Sequence, residues 1–584
     1  MSSNPSSRST TPSLNPPHAD RPPSTPWQRS NWLLAWLTVV GLCFVYAGDA
    51  PPGVNEAHYL AKAKNFWNPA WCSEDLFVAS GKAHALFYWV FGWPTQWCSL
   101  STTAWIGRLI GWGMLAAGLV RLCSALRVPA AFAVIVAIVW IAGIEQGNLA
   151  GEWVVGGIEA KVPAYGLVLL GIAELLQRNW NRVWLLFGAA AAFHVLTGGW
   201  AVVAAALAFA WTERVRRDPT QEKARFFTPA LFAGGAISLI GLVPAMAMSW
   251  NASPAESTSA ARVYTYFRIS HHLLPSAFHR DWYVRHAVLS LITLVCLEIQ
   301  RRLAKRHDPS SPAQIHALRS LAAFTVGAMC ISICGLFVGI LPAVAPDLAA
   351  KLLRFYWFRL ADVTTPLALG CSIAVILSFT HAHYLASRRS IWEQPWASLR
   401  VDARGAAFLA CLMTVLMAGG LVGLSTWQRV RAGVPISHSN NLLGLRRGAN
   451  YAEQRQTMQD WINVCRFVRA NTPEQEVLLT PRHQQSFKWY AERAEVVNWK
   501  DIPQDVATLR EWARRFVEIF PFELSTMRVT IRYDRLREFR RKYNVNWIIV
   551  DRRVVGPQLP LVQVYPLDDE RNATYAVYRL PSER

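Results

Sequence analysis

The sequence predicts a mainly α, polytopic membrane protein: a transmembrane bundle of about eleven helices followed by a small soluble α/β domain. Three observations lead there. Of 584 residues, 52% are hydrophobic and only 17% charged, against about 25% charged in an ordinary soluble protein. The apolar residues gather in long runs between 30 and 426, whereas 427–584 are rich in charge. Many of the runs approach the ~20 residues that cross about 30 Å of hydrocarbon. A purely soluble enzyme, a disordered chain and a fibrous protein are excluded. The net charge of +21 comes with no nucleic-acid motif. Lys and Arg accumulate in the cytoplasmic loops of membrane proteins, so nucleic acid is not an expected partner.

Residues 1–30 are Pro, Ser and Thr with few apolar residues. They cannot bury enough surface to offset their ordering entropy and read as a disordered cytoplasmic tail. Trp32–Ala47 lacks a following small-residue cleavage site and reads as an uncleaved first helix. Further spans fall at 102–122, 128–145, 161–177, 227–249, 286–300, 320–341, 362–381 and 405–426. The stretch after Arg182 is too long for one crossing, and Thr197, Gly198 and Gly199 break it into short helices at 183–197 and 198–211. The domain expectation is therefore a transmembrane unit at 31–426 and an external unit at 427–584, because an odd helix count puts the two ends of the chain on opposite sides. Charge agrees: Arg214, Arg216, Arg217, Lys223 and Arg225 crowd one predicted cytoplasmic loop, and Arg301, Arg302, Lys305, Arg306 and Arg319 another. Cys72 and Cys98 share a predicted external loop, whose spacing permits a disulfide without requiring one.

The first external loop, 49–101, opens with Asp49 and reaches Asn55-Glu56-Ala57-His58-Tyr59-Leu60. From Glu56 the pattern is helical, with Tyr59, Leu60, Ala63, Phe66 and Trp67 on one stripe, which suits a helix lying on the membrane surface. Glu56 suits either a general base or a helix N-terminal carboxylate favoured by the macrodipole. In the second loop Glu145, Glu152 and Glu159 recur every seven residues, but Gly147, Gly151, Gly156 and Gly157 argue against one helix. Glu159 and Lys161 stand at the mouth of a span, where ionisable groups are costly and functional by default; an internal ion pair is the alternative. His194 lies at the tip of the short hairpin. The loop at 250–285 carries Arg268, His271 and Arg280, and the loop at 342–361 carries Lys351, Arg354 and Arg359. Lys351, Arg354, Phe355 and Phe358 fit one helical face. External positive charge opposes the cytoplasmic bias and fits either a phosphate-bearing ligand or lipid head groups.

Beyond 427 the periodicity changes. Thr457–Ala470 reads as an amphipathic helix stopped by Thr472-Pro473. Short strands are expected at Val477–Thr480, Ala494–Asn498, Trp547–Asp551 and Tyr575–Leu580, with helices at Trp512–Phe520 and Arg535–Tyr543.

A first helix followed by a large loop with an acidic residue near its start and a nearby Tyr, here Asn55-Glu56-Ala57-His58-Tyr59, resembles the GT-C class of polytopic glycosyltransferases. Many members of that class carry Asp-Glu where this chain has Asn55-Glu56; Asp49 or Glu74-Asp75 stand as other sources of the second carboxylate. The same stretch, with Gly151–Lys161 and His194–Trp200, is also similar to an uncharacterised family of bacterial polytopic membrane proteins. The GT-C resemblance implies an integral protein of the bacterial inner (cytoplasmic) membrane that moves a sugar from a polyprenyl-phosphate-linked donor to an acceptor at the external face. It implies Glu56 as base, supported by Asp49, Glu152 and Glu159. Substrate would meet His58, Tyr59, Lys161, His194 and His271, and donor phosphate Arg268, Arg354 and Arg359. Members of the class sometimes hold a divalent cation on such acidic residues; the His and Asp spacing here gives no positive sign of one.

Two other functions fit the same residues. A transporter or lipid translocase would use Glu159, Lys161 and His194 along a pathway, although no paired halves of similar hydropathy are visible. A non-catalytic membrane scaffold would leave the carboxylates scattered.

Overall fold

The computed structural model describes residues 26–215, 223–307, 312–387, 403–438, 449–520, 532–556, 559–567 and 572–581. The expected disordered tail lies almost wholly outside them. The chain begins with α1 (Pro26–Ala47), then α2 (Glu56–Trp67), α3 (Leu76–Ala79) and α4 (Ala85–Gly92) within the first loop. There follow α5 (Leu100–Ala125), α6 (Phe132–Gly147), α7 (Lys161–Leu176), α8 (Trp180–Phe193), α9 (Val195–Phe209) and α10 (Pro229–Ala247). Short α11 (Pro254–Arg262) and α12 (Ser270–Leu273) precede α13 (Arg280–His307); α14 (Pro312–Val338), α15 (Pro346–Leu353), α16 (Arg359–Ser387) and α17 (Ala403–Ala432) complete the helical part.

Among the described residues seven helices are long and apolar enough to cross a membrane: α5, α9 with its continuation to Val215, α10, α13, α14, α16 and α17. Asn31–Ala47 of α1 and α6 are further, shorter apolar helices, and α7 and α8 fall where the sequence predicts the remaining two of its eleven spans. The protein is an integral membrane protein by this architecture. Phe232, Leu291 and Met413 on α10, α13 and α17 are each more than 60% exposed, as expected of side chains turned to lipid. The apolar stretch of α16 is buried throughout, so this helix is the axis of the bundle. Close approach is permitted by missing side chains: a Cβ on Gly188 of α8 would stand 2.2 Å from the Gly234 carbonyl oxygen of α10.

The hairpin breaks at His194 rather than at Thr197. His194 is extended and its ring meets the Thr197 N–H, capping α9. Gly198 therefore lies inside the first turn of α9, where a Cβ would collide with the Ala191 backbone at 2.1 Å; its role is contact rather than chain reversal.

After α17 come α18 (Tyr451–Asn471), β1 (Val477–Leu479), α19 (Phe487–Ala491), β2 (Ala494–Glu495), α20 (Val506–Ile519), α21 (Tyr533–Tyr543), β3 (Val545–Asp551), β4 (Val562–Tyr565) and β5 (Tyr575–Arg579). The sheet order is β2-β1-β3-β5-β4, parallel from β2 to β3 and antiparallel beyond. Strand alternation sorts side chains to two faces. Leu478, Ile549, Tyr575 and Val577 pack on Trp461, Val464 and Cys465 of α18. Val477, Val550 and Tyr578 pack with Leu509, Trp512 and Phe516 of α20. That second core also takes in Ala260, Leu273 and Leu353 of α11, α12 and α15, so the sheet domain is seated on the membrane-proximal loops.

Candidate functional site

The centre of the site is the loop between α6 and α7, and neighbouring elements pin its backbone. Asp362, in the first turn of α16, accepts from the N–H groups of Leu149 (2.8 Å) and Ala150 (3.0 Å). His272 Nδ1 lies 2.5 Å from the Ala150 oxygen. Trp112 of α5 donates to the Gly156 carbonyl at 3.1 Å. Gly157 rests on Glu56, where a Cβ would fall 2.7 Å from the carboxylate carbon.

This loop holds Glu152 and Glu159, and Lys161 opens α7. The Lys161 ammonium bonds Glu152, reaches Glu159 Oε1 at 2.8 Å and lies 4.2 Å from the Trp153 ring centre. Arg359 Nε of α16 stands 2.5 Å from Glu152 Oε2, and Arg359 Nη1 2.9 Å from His194 Nε2. His194 Nδ1 accepts the Thr197 N–H at 3.2 Å and lies 3.1 Å from the Thr197 hydroxyl. Asn55 donates to Glu159 Oε2 at 2.6 Å. Glu152, Glu159, Lys161 and His194 are all buried. Burial alone would raise the Glu152 pKa; Arg359 and Lys161 outweigh it and hold the carboxyl below its usual range. Residues from four distant segments therefore converge on one point.

A second group of cations adjoins the first. Arg268 is buried, donates to the Trp499 carbonyl at 2.6 Å and stacks 4.7 Å over that indole. Burial lowers its pKa to about 10. The Tyr264 and Tyr356 hydroxyls meet at 2.9 Å; Arg354 lies over Tyr264 and Arg359 over Tyr356. Neither Arg268 nor Arg354 has a carboxylate partner among the described residues. The helix expected to carry Arg354 ends at Leu353, so Phe355 turns outward while Phe358 is buried, and the four residues do not share a face. His271 is exposed beside His272.

The first loop divides between this site and its surroundings. Tyr59 is 3.5 Å from His84, whose ring stacks on His194. His58 Nδ1 lies 3.0 Å from Asp501 of the sheet domain. Glu56 does not open into the site: both oxygens are taken, by Arg108 Nε (2.7 Å) and Nη2 (2.6 Å) and by the N–H groups of Gly53 (2.6 Å) and Ile158 (2.8 Å), at 0% exposure. Asp49 faces the end of α17 and pairs with Arg429 at 3.1 Å. Helix α2 is indeed amphipathic, but Lys62, off its apolar stripe, is buried against Ser80 and Phe77 instead of reaching water, and burial lowers its pKa to about 7.

Sequence reasoning did not find Arg108, Asp362, Lys488, Lys500 or Asp501. Lys488 of α19 is buried among Asp501 (2.6 Å), Glu495 (2.5 Å) and Asp75 (3.3 Å). No group of three or more His, Cys, Asp or Glu side chains is placed to hold a metal ion among the described residues. All ten cysteines, Cys72 and Cys98 included, are free thiols.

A protein-family model described as a domain of unknown function (DUF6798) matches residues 459–519. No curated protein matches. Among solved structures, the chain is similar to the archaeal oligosaccharyltransferase AglB from Archaeoglobus fulgidus, in complex with an inhibitory peptide and a dolichol-phosphate. The identity is 10% and the TM-score 0.48, over 90% of this chain and 69% of that one. It is also similar to ArnT from Cupriavidus metallidurans bound to undecaprenyl phosphate, at 12% identity and a TM-score of 0.46, over 96% of this chain and 99% of that one.

Proposed function

We propose that this chain is a membrane glycosyltransferase that moves a sugar from a polyprenyl-phosphate-linked donor to an acceptor where the loops meet the sheet domain. The observation that carries the reading is positive charge without a carboxylate partner among the described residues, on buried Arg268 and half-buried Arg354, beside a buried carboxylate pair. Arg268 and Arg354 lack carboxylates, while Glu152 and Glu159 are held a short way off by Lys161 and Arg359. A buried guanidinium without a counter-ion is costly, and a phosphate supplies the anion in a geometry that Arg grips with paired hydrogen bonds.

In the transfer an acceptor oxygen or nitrogen forms a bond to the anomeric carbon. The bond from that carbon to the phosphate oxygen breaks, and the lipid phosphate leaves with the electron pair onto Arg268 and its neighbours. The acceptor proton passes to Glu159, whose Oε1 is met by the Lys161 ammonium but by no hydrogen-bond donor in good geometry among the described residues. Glu56, with both oxygens engaged, acts as a positioning residue that ties α5 to the Gly157–Ile158 turn. The loop-rich end is the external one in this reading. Arg121, Arg178, Arg182, Lys223 and Arg225 lie at the other end, as cytoplasmic residues of a bacterial inner-membrane protein would. A transport pathway is less well supported, because Glu159, Lys161 and His194 sit at one end of the bundle instead of along it.

The test uses purified protein in nanodiscs with a panel of radiolabelled polyprenyl-phosphate sugars, following release of the lipid phosphate. Wild type is expected to consume at least one donor, and Glu159→Gln to lose the reaction at least ~100-fold, the scale of a general base, while still binding undecaprenyl phosphate. Consumption of no donor contradicts the reading, and full activity of Glu159→Gln contradicts the role of Glu159.

A further inference from the structure

We infer that Lys500, delivered by the sheet domain, is a phosphate-binding residue of the same site, so that the site is incomplete without that domain. The inference rests on the donor reading above.

Both neighbours of Lys500 are fixed. Trp499 donates its N–H to the Arg482 carbonyl at 3.0 Å, and its own carbonyl accepts from Arg268. Asp501 takes Lys488 (2.6 Å) and Asn498 (3.0 Å) on Oδ2 and faces His58 at 3.0 Å with Oδ1, while its N–H donates to Asn498 Oδ1 at 2.8 Å. Lys488 reaches on to Asp75 of the first loop, and Asp75 accepts the Glu495 N–H at 3.1 Å. These buried charges form a latch between the first loop and the sheet domain, and the residue between the two pinned positions is Lys500.

Lys500 is half-buried and has no hydrogen-bonded or ion-paired side-chain partner among the described residues. It lies within the electrostatic reach of Arg268, Glu159, Asp501 and Lys161. Burial, then the Arg268 charge, lowers its pKa to about 8. Arg268 is bonded to the carbonyl of the residue before Lys500, so the two like charges repel each other. An anion that accepts from both relieves the repulsion, and the donor phosphate is such an anion. The Lys500 carbonyl accepts the Ile502 N–H at 3.0 Å, but its ammonium has no hydrogen-bonded or ion-paired partner among the described residues, which favours a ligand-binding role for the side chain.

The experiment measures dissociation constants of undecaprenyl phosphate and of neutral undecaprenol for the full-length protein in nanodiscs. Four forms are compared: wild type, Arg268→Ala, Lys500→Ala and Lys500→Arg. Lys500→Ala is expected to bind the phosphate lipid ~10- to 100-fold more weakly, the scale of one hydrogen bond to a charged group. Its melting temperature and its undecaprenol affinity stay at wild-type values, and Lys500→Arg recovers most of the loss. Weakened Arg268→Ala beside unchanged Lys500→Ala overturns this inference alone. Wild type that binds undecaprenyl phosphate no better than undecaprenol overturns the donor reading itself.

Discussion

Glu56 and Arg108 face each other through two parallel hydrogen bonds of 2.6 and 2.7 Å with 0% and 1% of their side chains exposed. A carboxylate so completely engaged is a structural tie. Removing one partner of a buried pair costs about 3–5 kcal/mol because the other charge is stranded, whereas replacing both by apolar residues is often neutral. Glu56→Gln is therefore expected to lower the melting temperature sharply, and the Glu56→Leu/Arg108→Met double variant to recover much of it. Thermal melts in detergent check this. A Glu56→Gln protein that melts like wild type but does not transfer sugar would return the base role to Glu56.

The Glu152–Arg359 contact at 2.5 Å ties the site loop to the central helix. Arg359→Lys keeps the charge but loses the fork that also reaches His194. It is expected to fold, to retain undecaprenyl phosphate binding within about tenfold, and to lose most turnover. Steady-state kinetics separate the two effects: a fall in kcat with little change in KM fits a residue that aligns the carboxylate, and the reverse does not.

The His58–Asp501 contact makes docking of the sheet domain acid-sensitive. Burial lowers the His58 pKa from 6.5 to about 4, only partly offset by Asp501. Burial would raise Asp501, but Lys488 and His58 outweigh it and hold it low. Both groups favour the deprotonated form in the folded state. Their contribution is full above the unfolded pKa and is lost as pH falls, for His58 between about 6.5 and 4 and amounting to roughly 3 kcal/mol. Hydrogen exchange of residues 459–519 should stay slow at pH 7.5 and quicken at pH 5. Equal protection at both values would show that His58 does not control docking.

Lys500 sets the opposite limit. Its protonated form prevails below about pH 8, and a phosphomonoester is already dianionic there. Affinity for undecaprenyl phosphate should fall as pH rises through 8 to 9.5, and Lys500→Arg should flatten the profile. The groups facing Lys500 are Arg268, Glu159, Asp501, Lys161, His58, His271 and His272; no carboxylate or imidazole among them ordinarily titrates in that window. A profile identical in wild type and Lys500→Arg would contradict the assignment.

Much of the fold was legible because its signals are local. Apolar runs marked the eleven bundle helices, including the α8–α9 pair, and short apolar stretches marked β1, β2, β3 and β5. β4 escaped because Val562–Tyr565 is four residues long and ends at Pro566. The carboxylates Glu152 and Glu159 stood out as charges next to hydrocarbon. Arg108 did not, since one Arg near a helix end looks like any interfacial cation. Glu56 was placed at the correct helix start, but nothing local says which way an N-terminal carboxylate turns. Lys488 and Asp501 lie in a charge-rich segment where no single charge is conspicuous, and the Asp75–Lys488 contact joins residues that only the folded chain brings near each other.

The most direct measurement is a structure of the protein with undecaprenyl phosphate bound. The account predicts phosphate oxygens at about 2.7–2.9 Å, the range of charge-assisted bonds, from Arg268 and Lys500, with Glu159 facing the side where an acceptor enters. A lipid phosphate seated instead at the opposite end of the bundle, beside Arg178 and Arg182, would contradict it.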